Sequence, residues 1–201
     1  MQVTKGEKTR DFILHHAAIL FNTRGYANTS ISDLMSATGL KKGGIYNHFT
    51  TKNELALQAF DYAFTLVKQR IRRAIASQEA TSGRLQNIIS VYEDFFRNPP
   101  IPGGCPILNA AIELDDASNH PLLHRRVKKA MDFSRKLIRE TVKRGIREKE
   151  IRAEVDAGRA STVIIASLQG ALMMSKLYRD SSFISDIKIH LNRYFESLLR
   201  V

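Results

Sequence analysis

The residues best suited to chemistry lie close together in one stretch of the chain, Thr29 to Lys52. Their side chains include a cation, an aromatic ring with a hydroxyl, an amide and an imidazole. The set is Lys42, Gly43, Gly44, Tyr46, Asn47 and His48. This mixture of donors, acceptors and bare backbone suits contacts with base edges and phosphates in a DNA major groove.

Two short helices are needed to position these residues, and the local pattern predicts both. Apolar residues at helical spacing predict helices over 31–38 and 42–48, with Gly39 ending the first. Two short helices joined by a Gly-containing turn form the helix-turn-helix unit. The apolar contacts that would fix their angle come from Ile31, Leu34, Met35, Leu40, Ile45 and Phe49.

Two details favour a DNA surface over an ordinary solvated helix. Gly43 and Gly44 would each cost roughly 1 kcal/mol against alanine in a helix interior, but they allow close approach to a phosphate or a thymine methyl. Lys52 lies at a helix N-terminus, where the helix dipole disfavours a cation, and with Thr51 it could hold a phosphate.

Each of these features also has an interpretation without DNA. Gly-linked helix pairs occur in proteins that never contact DNA, and the two glycines could simply be tolerated in a first turn. His48 could cap or pack rather than bind. The prediction of DNA binding therefore depends on all of these features together and not on any one of them.

A longer segment, AAILFNTRGYANTSISDLMSATGLKKGGIYNHFTTKNEL, resembles the DNA-binding head of the TetR family of bacterial transcriptional regulators. The resemblance covers roughly residues 10–60, with Thr38-Gly39-Leu40 where many members have Ala-Gly-Val. It implies a homodimer that reads a palindromic operator and a helical body with an effector pocket. The operator contacts that the resemblance implies are Ser30, Ser32, Lys42, Gly43, Gly44, Tyr46, Asn47, His48 and Lys52.

Composition narrows the class of protein. The chain has 201 residues, of which 43% are hydrophobic, so it can bury a core, and its single cysteine excludes a disulfide framework. It contains no phosphate-binding glycine loop, zinc-spaced His/Cys set or G-x-S-x-G motif, so we expect no catalytic residue, metal or cofactor. Its polar N-terminus and the short apolar run Ala160 to Ser175 predict a cytoplasmic protein without a membrane span.

The helical period recurs along the whole chain and predicts an all-α fold. We expect a three-helix DNA-binding head at 1–52, with its helix-turn-helix at about 30–49, and an effector-binding and dimerisation body at 53–201. About nine helices are predicted, at 8–24, 31–38, 42–48, 52–78, 82–97, 104–116, 120–149, 156–179 and 183–199.

The last two predicted helices are expected to form a dimer interface. The alternative is that both belong to the hydrophobic core of a single subunit. Residues 160–175 are apolar around most of the helix, and Ala166 and Gly170 would allow close helix approach. The predicted interface residues are Ile164, Leu168, Ala171, Leu172, Phe183, Ile187, Leu191 and Phe195.

An effector pocket is expected among the fourth to eighth helices, where the Pro- and Gly-rich segment 98–106 interrupts the helices. Each lining residue could instead be an ordinary core residue, and Cys105 could be a redox sensor or an inert thiol. The predicted lining is Tyr62, Tyr92, Phe96, Cys105, Leu108, Asn109, Ile112, Met131 and Met173.

The net charge of +11 is concentrated away from the head. Residues 1–55 carry a net charge of only +3, whereas residues 121–152 carry +8. A solvated face, a membrane surface, an anionic effector or flanking DNA could each explain this basic helix.

Together these patterns predict a sequence-specific transcriptional regulator, released from DNA by a small molecule. The alternative is a DNA-binding protein of architectural type, without sequence preference.

Overall fold

The computed structural model describes residues 4–114 and 120–199. Within these ranges the chain forms nine helices and no strand, apart from an isolated antiparallel bridge between Ile151 and Leu199. The all-α prediction is therefore confirmed. The helices are α1 (Lys5–Arg24), α2 (Ile31–Thr38), α3 (Lys42–Tyr46), α4 (Lys52–Ala76), α5 (Thr81–Arg97), α6 (Pro106–Glu113), α7 (Pro121–Arg147), α8 (Ala157–Tyr178) and α9 (Ser182–Leu198).

Helix ends differ from the prediction where capping groups decide them. Helix α1 begins at Lys5 rather than at residue 8, because the Thr4 hydroxyl accepts from the Glu7 amide and the Glu7 carboxylate accepts from the Thr4 amide. Helix α6 begins at Pro106 rather than at residue 104, since Gly103 and Gly104 have φ angles of 99° and 89° that no helix can contain. Residues 115 and 116, also predicted in α6, lie outside the described residues.

The chain divides into two compact units, and neither follows the predicted boundary at residue 52. The first contains Met1–Val67 and Pro100–Lys128, and the second contains Lys68–Pro99 and Lys129–Val201. Helix α4 begins at Lys52 and contributes residues to both units, and α6 packs on α1 although some eighty residues separate them in the sequence. The head therefore shares its compact unit with α6.

The core of the first unit forms around the inner face of α1. Ile13 and Ala17 are fully buried there, and Leu34, Ile45 and Leu55 pack with them in one apolar cluster. Burial of each large side chain contributes on the order of 2 kcal/mol. This cluster holds α2 and α3 on α1.

A polar contact joins α6 to the end of α1. The Asn109 side-chain amide donates to the Asn22 backbone oxygen at 3.0 Å and to the Gly103 carbonyl at 2.8 Å. The Asn22 side-chain amide donates in turn to the carbonyls of Pro102 and Gly104 at 2.8 and 3.1 Å. A Cβ atom on Gly103 would lie 2.5 Å from the Asn22 oxygen, so only glycine fits this close approach.

The second unit is built from the packing of α5, α8 and α9. Tyr92 and Phe95 of α5 are buried in this unit, as are Leu168 of α8 and Leu191 of α9. Helix α8 is the one described helix that is long and apolar enough to cross a membrane, and half of its most apolar window is buried inside the protein. A core helix of this kind has the same composition.

The basic residues of α7 lie mostly on its solvent side. Lys129, Lys136, Lys143 and Arg147 are exposed, while Ile138 and Val142 on the opposite side are buried. The helix is thus amphipathic.

Candidate nucleic-acid interface

The turn between α2 and α3 is set by Gly39. This residue has a φ of 68° in the left-handed region, and its amide donates to the Met35 carbonyl at 2.9 Å. The left-handed conformation costs glycine little, so it ends α2 within one residue and directs the chain into α3.

The N-terminus of α2 is capped by reciprocal hydrogen bonds between Ser30 and Asp33. The Ser30 hydroxyl accepts from the Asp33 amide at 3.1 Å and donates to the Asp33 carboxylate at 2.6 Å. These bonds from the Ser30 hydroxyl and its backbone amide hold the pKa of Asp33 below its usual range. The Ser30 side chain is thus used to cap the helix, whereas Ser32 is exposed beside it.

The inner sides of the two helices are fixed by burial. Leu34, Ile45 and Phe49 are each no more than 2% exposed, and Ile31, Met35 and Leu40 pack against the same cluster partly buried. Five residues of α3 are helical, and a further turn carries the chain to Phe49, whose amide bonds the Ile45 carbonyl. All six predicted packing residues therefore lie where the helix-turn-helix pattern requires.

The opposite side of α3 faces solvent. Lys42, Gly43, Tyr46 and Asn47 are exposed, with 36% of the Tyr46 surface accessible, and His48 is half-buried. Among residues 4–114 and 120–199, a Cβ atom on Gly43 would have no neighbour within 4 Å outside its own turn of helix. Helix α3 thus combines a buried apolar side with an open side of mixed polarity.

The Lys52 side chain is bound to the segment that precedes α2. Its ammonium donates to the Tyr26 carbonyl at 2.8 Å and lies 4.2 Å from the centre of the Tyr26 ring. Partial burial lowers its pKa, although the carboxylates of Glu113 and Asp33 oppose that shift. Lys52 therefore holds the segment before α2, and its contact with a DNA phosphate remains a prediction.

Two threonines cap the N-terminus of α4. The Thr51 hydroxyl accepts from the Glu54 amide at 3.0 Å, and the Glu54 carboxylate accepts from the amide and hydroxyl of Thr50. Hydrogen bonds from the Thr50 hydroxyl and amide lower the pKa of Glu54.

Sequence reasoning missed one residue that contacts the head. Glu113, at the end of α6, accepts hydrogen bonds from the backbone amides of Tyr26 and Ala27. Those amides are 86 or more positions away in sequence, so no local pattern could have indicated the contact.

The predicted pocket residues are divided between the two compact units. Tyr62, Cys105, Leu108, Asn109 and Ile112 belong to the first unit, while the second unit holds the others, Tyr92, Phe96, Met131 and Met173. A cavity of about 40 Å³ in the first unit is lined mainly by α1, α4 and α6, and of the predicted residues only Asn109 borders it. Ligand pockets usually measure about 300–1,000 Å³.

The exposure of two pocket residues requires a correction. Ile112 is 58% exposed and Met173 is 45% exposed, so neither lines an enclosed space in the described chain. Their helices turn these side chains outward, a property that residue type alone does not reveal.

The predicted dimer residues also need correction. Six of them are already buried within their own chain and belong to its core, namely Ile164, Leu168, Ala171, Leu172, Leu191 and Phe195. Phe183 and Ile187 keep partial exposure. The apolar residues of α8 that remain available form the α8 outer face, which we define as Val163, Ala166, Gly170, Met173, Met174 and Leu177.

Two family models match this chain. The model of bacterial regulatory proteins of the tetR family matches residues 13–59, which include α2 and α3. The model of the tetracyclin repressor-like C-terminal domain matches residues 81–191, more than half of the chain. The chain belongs to the TetR family.

Known proteins agree with this assignment along nearly the whole chain. A TetR transcriptional regulator from Chloroflexus aurantiacus is 43% identical, covers 98% of both chains and superposes with a TM-score of 0.93. The transcriptional repressor DhaR from Mycobacterium is 24% identical over 94% of this chain and 92% of its own. The TetR-family regulator CifR, in a complex of its cysteine mutant with a 26 bp operator, shares the fold with a TM-score of 0.82 at 20% identity, over 91% of this chain and 94% of its own. This TetR-family protein is a transcriptional regulator and not an enzyme.

Proposed function

We propose that this regulator binds a palindromic operator as a homodimer, with α3 of each subunit in a major groove. The observation that carries the proposal is the two-sided α3, whose Ile45 side is buried while Lys42, Tyr46 and Asn47 are open to solvent. A helix held in this way can present side chains to base edges without losing its own packing.

The polar groups of α3 and of the turn after it are suited to two kinds of contact with DNA. Lys42 and the Tyr46 hydroxyl suit phosphate oxygens, and Asn47 and His48 offer hydrogen bonds to base edges. Gly43 and Gly44 would let the α3 backbone approach the duplex. Ser30, Ser32 and Lys52 complete the proposed contact set at the edges of this surface.

The homodimer is proposed to form through the α8 outer face. Leu177 is 73% exposed and Met173 45% exposed, which makes the surface costly to leave in water. Beyond its own turn of helix, a Cβ atom on Gly170 would have no neighbour within 4 Å in the described chain, so a partner helix could approach closely there. A two-fold contact would bury the same apolar strip on both subunits.

We further propose that the protein is a cytoplasmic repressor released by a small molecule. The effector would bind in the body and favour a conformation whose head spacing does not match the operator. A shift from mostly bound to mostly free requires roughly 5 kcal/mol of differential affinity, which burial of an apolar ligand can supply. The DhaR relative bears the name of a repressor, which supports this direction of regulation.

Selection of genomic fragments by the purified protein tests the central proposal. The selected fragment should contain an inverted repeat and should bind about 10³-fold more tightly than random duplex at the same salt concentration. Equal affinity for both duplexes would instead identify an architectural DNA-binding protein. Genes beside the fragment would indicate the class of effector.

Replacement of Gly43 by alanine should separate stability from DNA binding. The new methyl group has free space, and alanine is the better helix former, so we expect about 0.5–1 kcal/mol of added stability. The same methyl group would stand between α3 and the duplex, so operator affinity should fall about tenfold. Thermal unfolding and fluorescence anisotropy on the selected operator measure the two effects.

Gly6→Ala is the matched control for this variant. Gly6 occupies the second position of α1 as Gly43 does in α3, and the nearest atom to its Cβ position is 4.0 Å away. It should gain similar stability without loss of affinity. A Gly43→Ala protein that binds the operator as tightly as the unmodified protein would contradict close backbone approach at α3.

A further inference from the structure

Charged side chains of two distant helices hold the segment that joins α1 to α2. The Glu113 carboxylate of α6 accepts from the Tyr26 amide at 2.8 Å with one oxygen and from the Ala27 amide at 2.7 Å with the other. On the other side, the Lys52 ammonium of α4 donates to the Tyr26 carbonyl at 2.8 Å. Both polar groups of the Tyr26 backbone are thus bound by ions.

Gly25 makes room for the carboxylate. It has a φ of 85°, and a Cβ atom at this position would lie 2.9 Å from a Glu113 oxygen. A side chain here would be strained and would also push the carboxylate off the Tyr26 amide. The backbone of this segment is therefore shaped around Glu113.

The held segment leads directly into the first DNA-facing helix. Thr29 is 1% exposed, and its hydroxyl donates to the Gly25 carbonyl at 2.7 Å, which closes the segment into a tight turn. Ser30 follows as the cap of α2. The orientation of residues 25–27 consequently sets the point and direction at which α2 begins.

We propose that Glu113 is a positioning residue for operator reading. It lies on α6, outside the residues 13–59 matched by the DNA-binding family model, and it acts through the backbone of Tyr26 and Ala27 rather than through DNA. Charge-assisted bonds to both amides restrict the segment more than a neutral side chain can. This inference rests on the proposed function for its DNA readout, but its structural readout is independent of DNA.

The substitution Glu113→Gln distinguishes a positioning role from a simple effect of charge, because the two change operator affinity in opposite directions. Loss of a negative charge alone should strengthen binding to polyanionic DNA. In the native protein each amide bonds a separate carboxylate oxygen, and in glutamine one of those oxygens is replaced by an NH₂ group. That group can only donate, so it would face an amide that also donates, and the two-oxygen arrangement is lost. We therefore expect operator affinity to fall about five- to tenfold, opposite to the electrostatic effect.

Glu79→Gln is the matched control, because it removes the same charge at an exposed site before α5. It should bind the operator as tightly as the unmodified protein or slightly more tightly. Operator affinity of Glu113→Gln equal to that of Glu79→Gln would overturn the proposal.

Amide hydrogen exchange reports on the same substitution without DNA. In Glu113→Gln the amides of Tyr26 and Ala27 should exchange about five- to tenfold faster, while those of α5 keep their rates. Unchanged exchange at these two amides, or faster exchange throughout the chain, would overturn the positioning role. Failure of the unmodified protein to select any operator would instead overturn the proposed function.

Discussion

Replacing Met173 by glutamate should convert the protein from a dimer to a monomer at micromolar concentration. Met173 is 45% exposed near the middle of the α8 outer face, so the change should alter the stability of the single subunit by no more than about 0.5 kcal/mol. In the proposed dimer the same position would bury an unpaired carboxylate, which costs several kcal/mol.

The consequence for DNA binding is expected to be larger than that of any single DNA contact. Two linked heads bind a palindrome with an advantage of about 10²–10⁴-fold over one head. Operator affinity of Met173→Glu should therefore fall by about 100-fold or more. Sedimentation velocity and anisotropy titration on the full palindrome measure the two effects.

Leu122→Glu is the control for this experiment. Leu122 is 49% exposed at the start of α7, so it matches Met173 in type, exposure and charge change but lies outside α8 and α9. It should remain dimeric with nearly unchanged affinity. A dimeric Met173→Glu protein would exclude the α8 outer face as the interface.

Tyr46→Ala is expected to weaken operator binding about 10- to 100-fold without changing helicity or dimerisation. Tyr46 is 36% exposed on α3 and lies outside the apolar cluster that holds α2 and α3 on α1, so its replacement should leave that cluster intact. Loss of a phosphate contact and of contact area on the duplex explains the magnitude. Tyr46→Phe should give an intermediate loss, because it removes only the hydroxyl.

Phe12→Ala controls for the loss of an exposed aromatic ring. Phe12 is 44% exposed on α1, in the same compact unit as Tyr46. It should retain full operator binding in a gel-shift titration. If Tyr46→Ala also binds fully, the reading surface lies elsewhere.

Local signals in the sequence were enough to predict the head. The spacing of Leu34, Ile45 and Phe49 and the glycine at position 39 act over a few residues, and the structure buries the three side chains and ends α2 where they indicate. Helix type and approximate bounds follow from the same short-range physics along the rest of the chain.

The predictions that were wrong or incomplete depended on which side of a helix meets another helix. Composition marks α8 as apolar nearly all round, so it could not show that Leu168 and Leu172 face their own core while Met173 and Leu177 face outward. The bond from Lys52 to the Tyr26 carbonyl joins residues 26 positions apart, so no local pattern could indicate it. Such choices are made by tertiary packing, which a local pattern does not encode.

The membership of α6 in the first compact unit has a practical consequence for building chimeric regulators. A graft made at residue 52 would transfer the helices proposed to read DNA but would leave behind Asn109 and Glu113, which bind the end of α1 and the loop after it. If the C-terminal part of the other regulator lacks equivalent side chains, the grafted N-terminal helices would lose these contacts and would be held less firmly. Exchange of operator specificity between such proteins should therefore carry residues 100–113 together with the N-terminal segment.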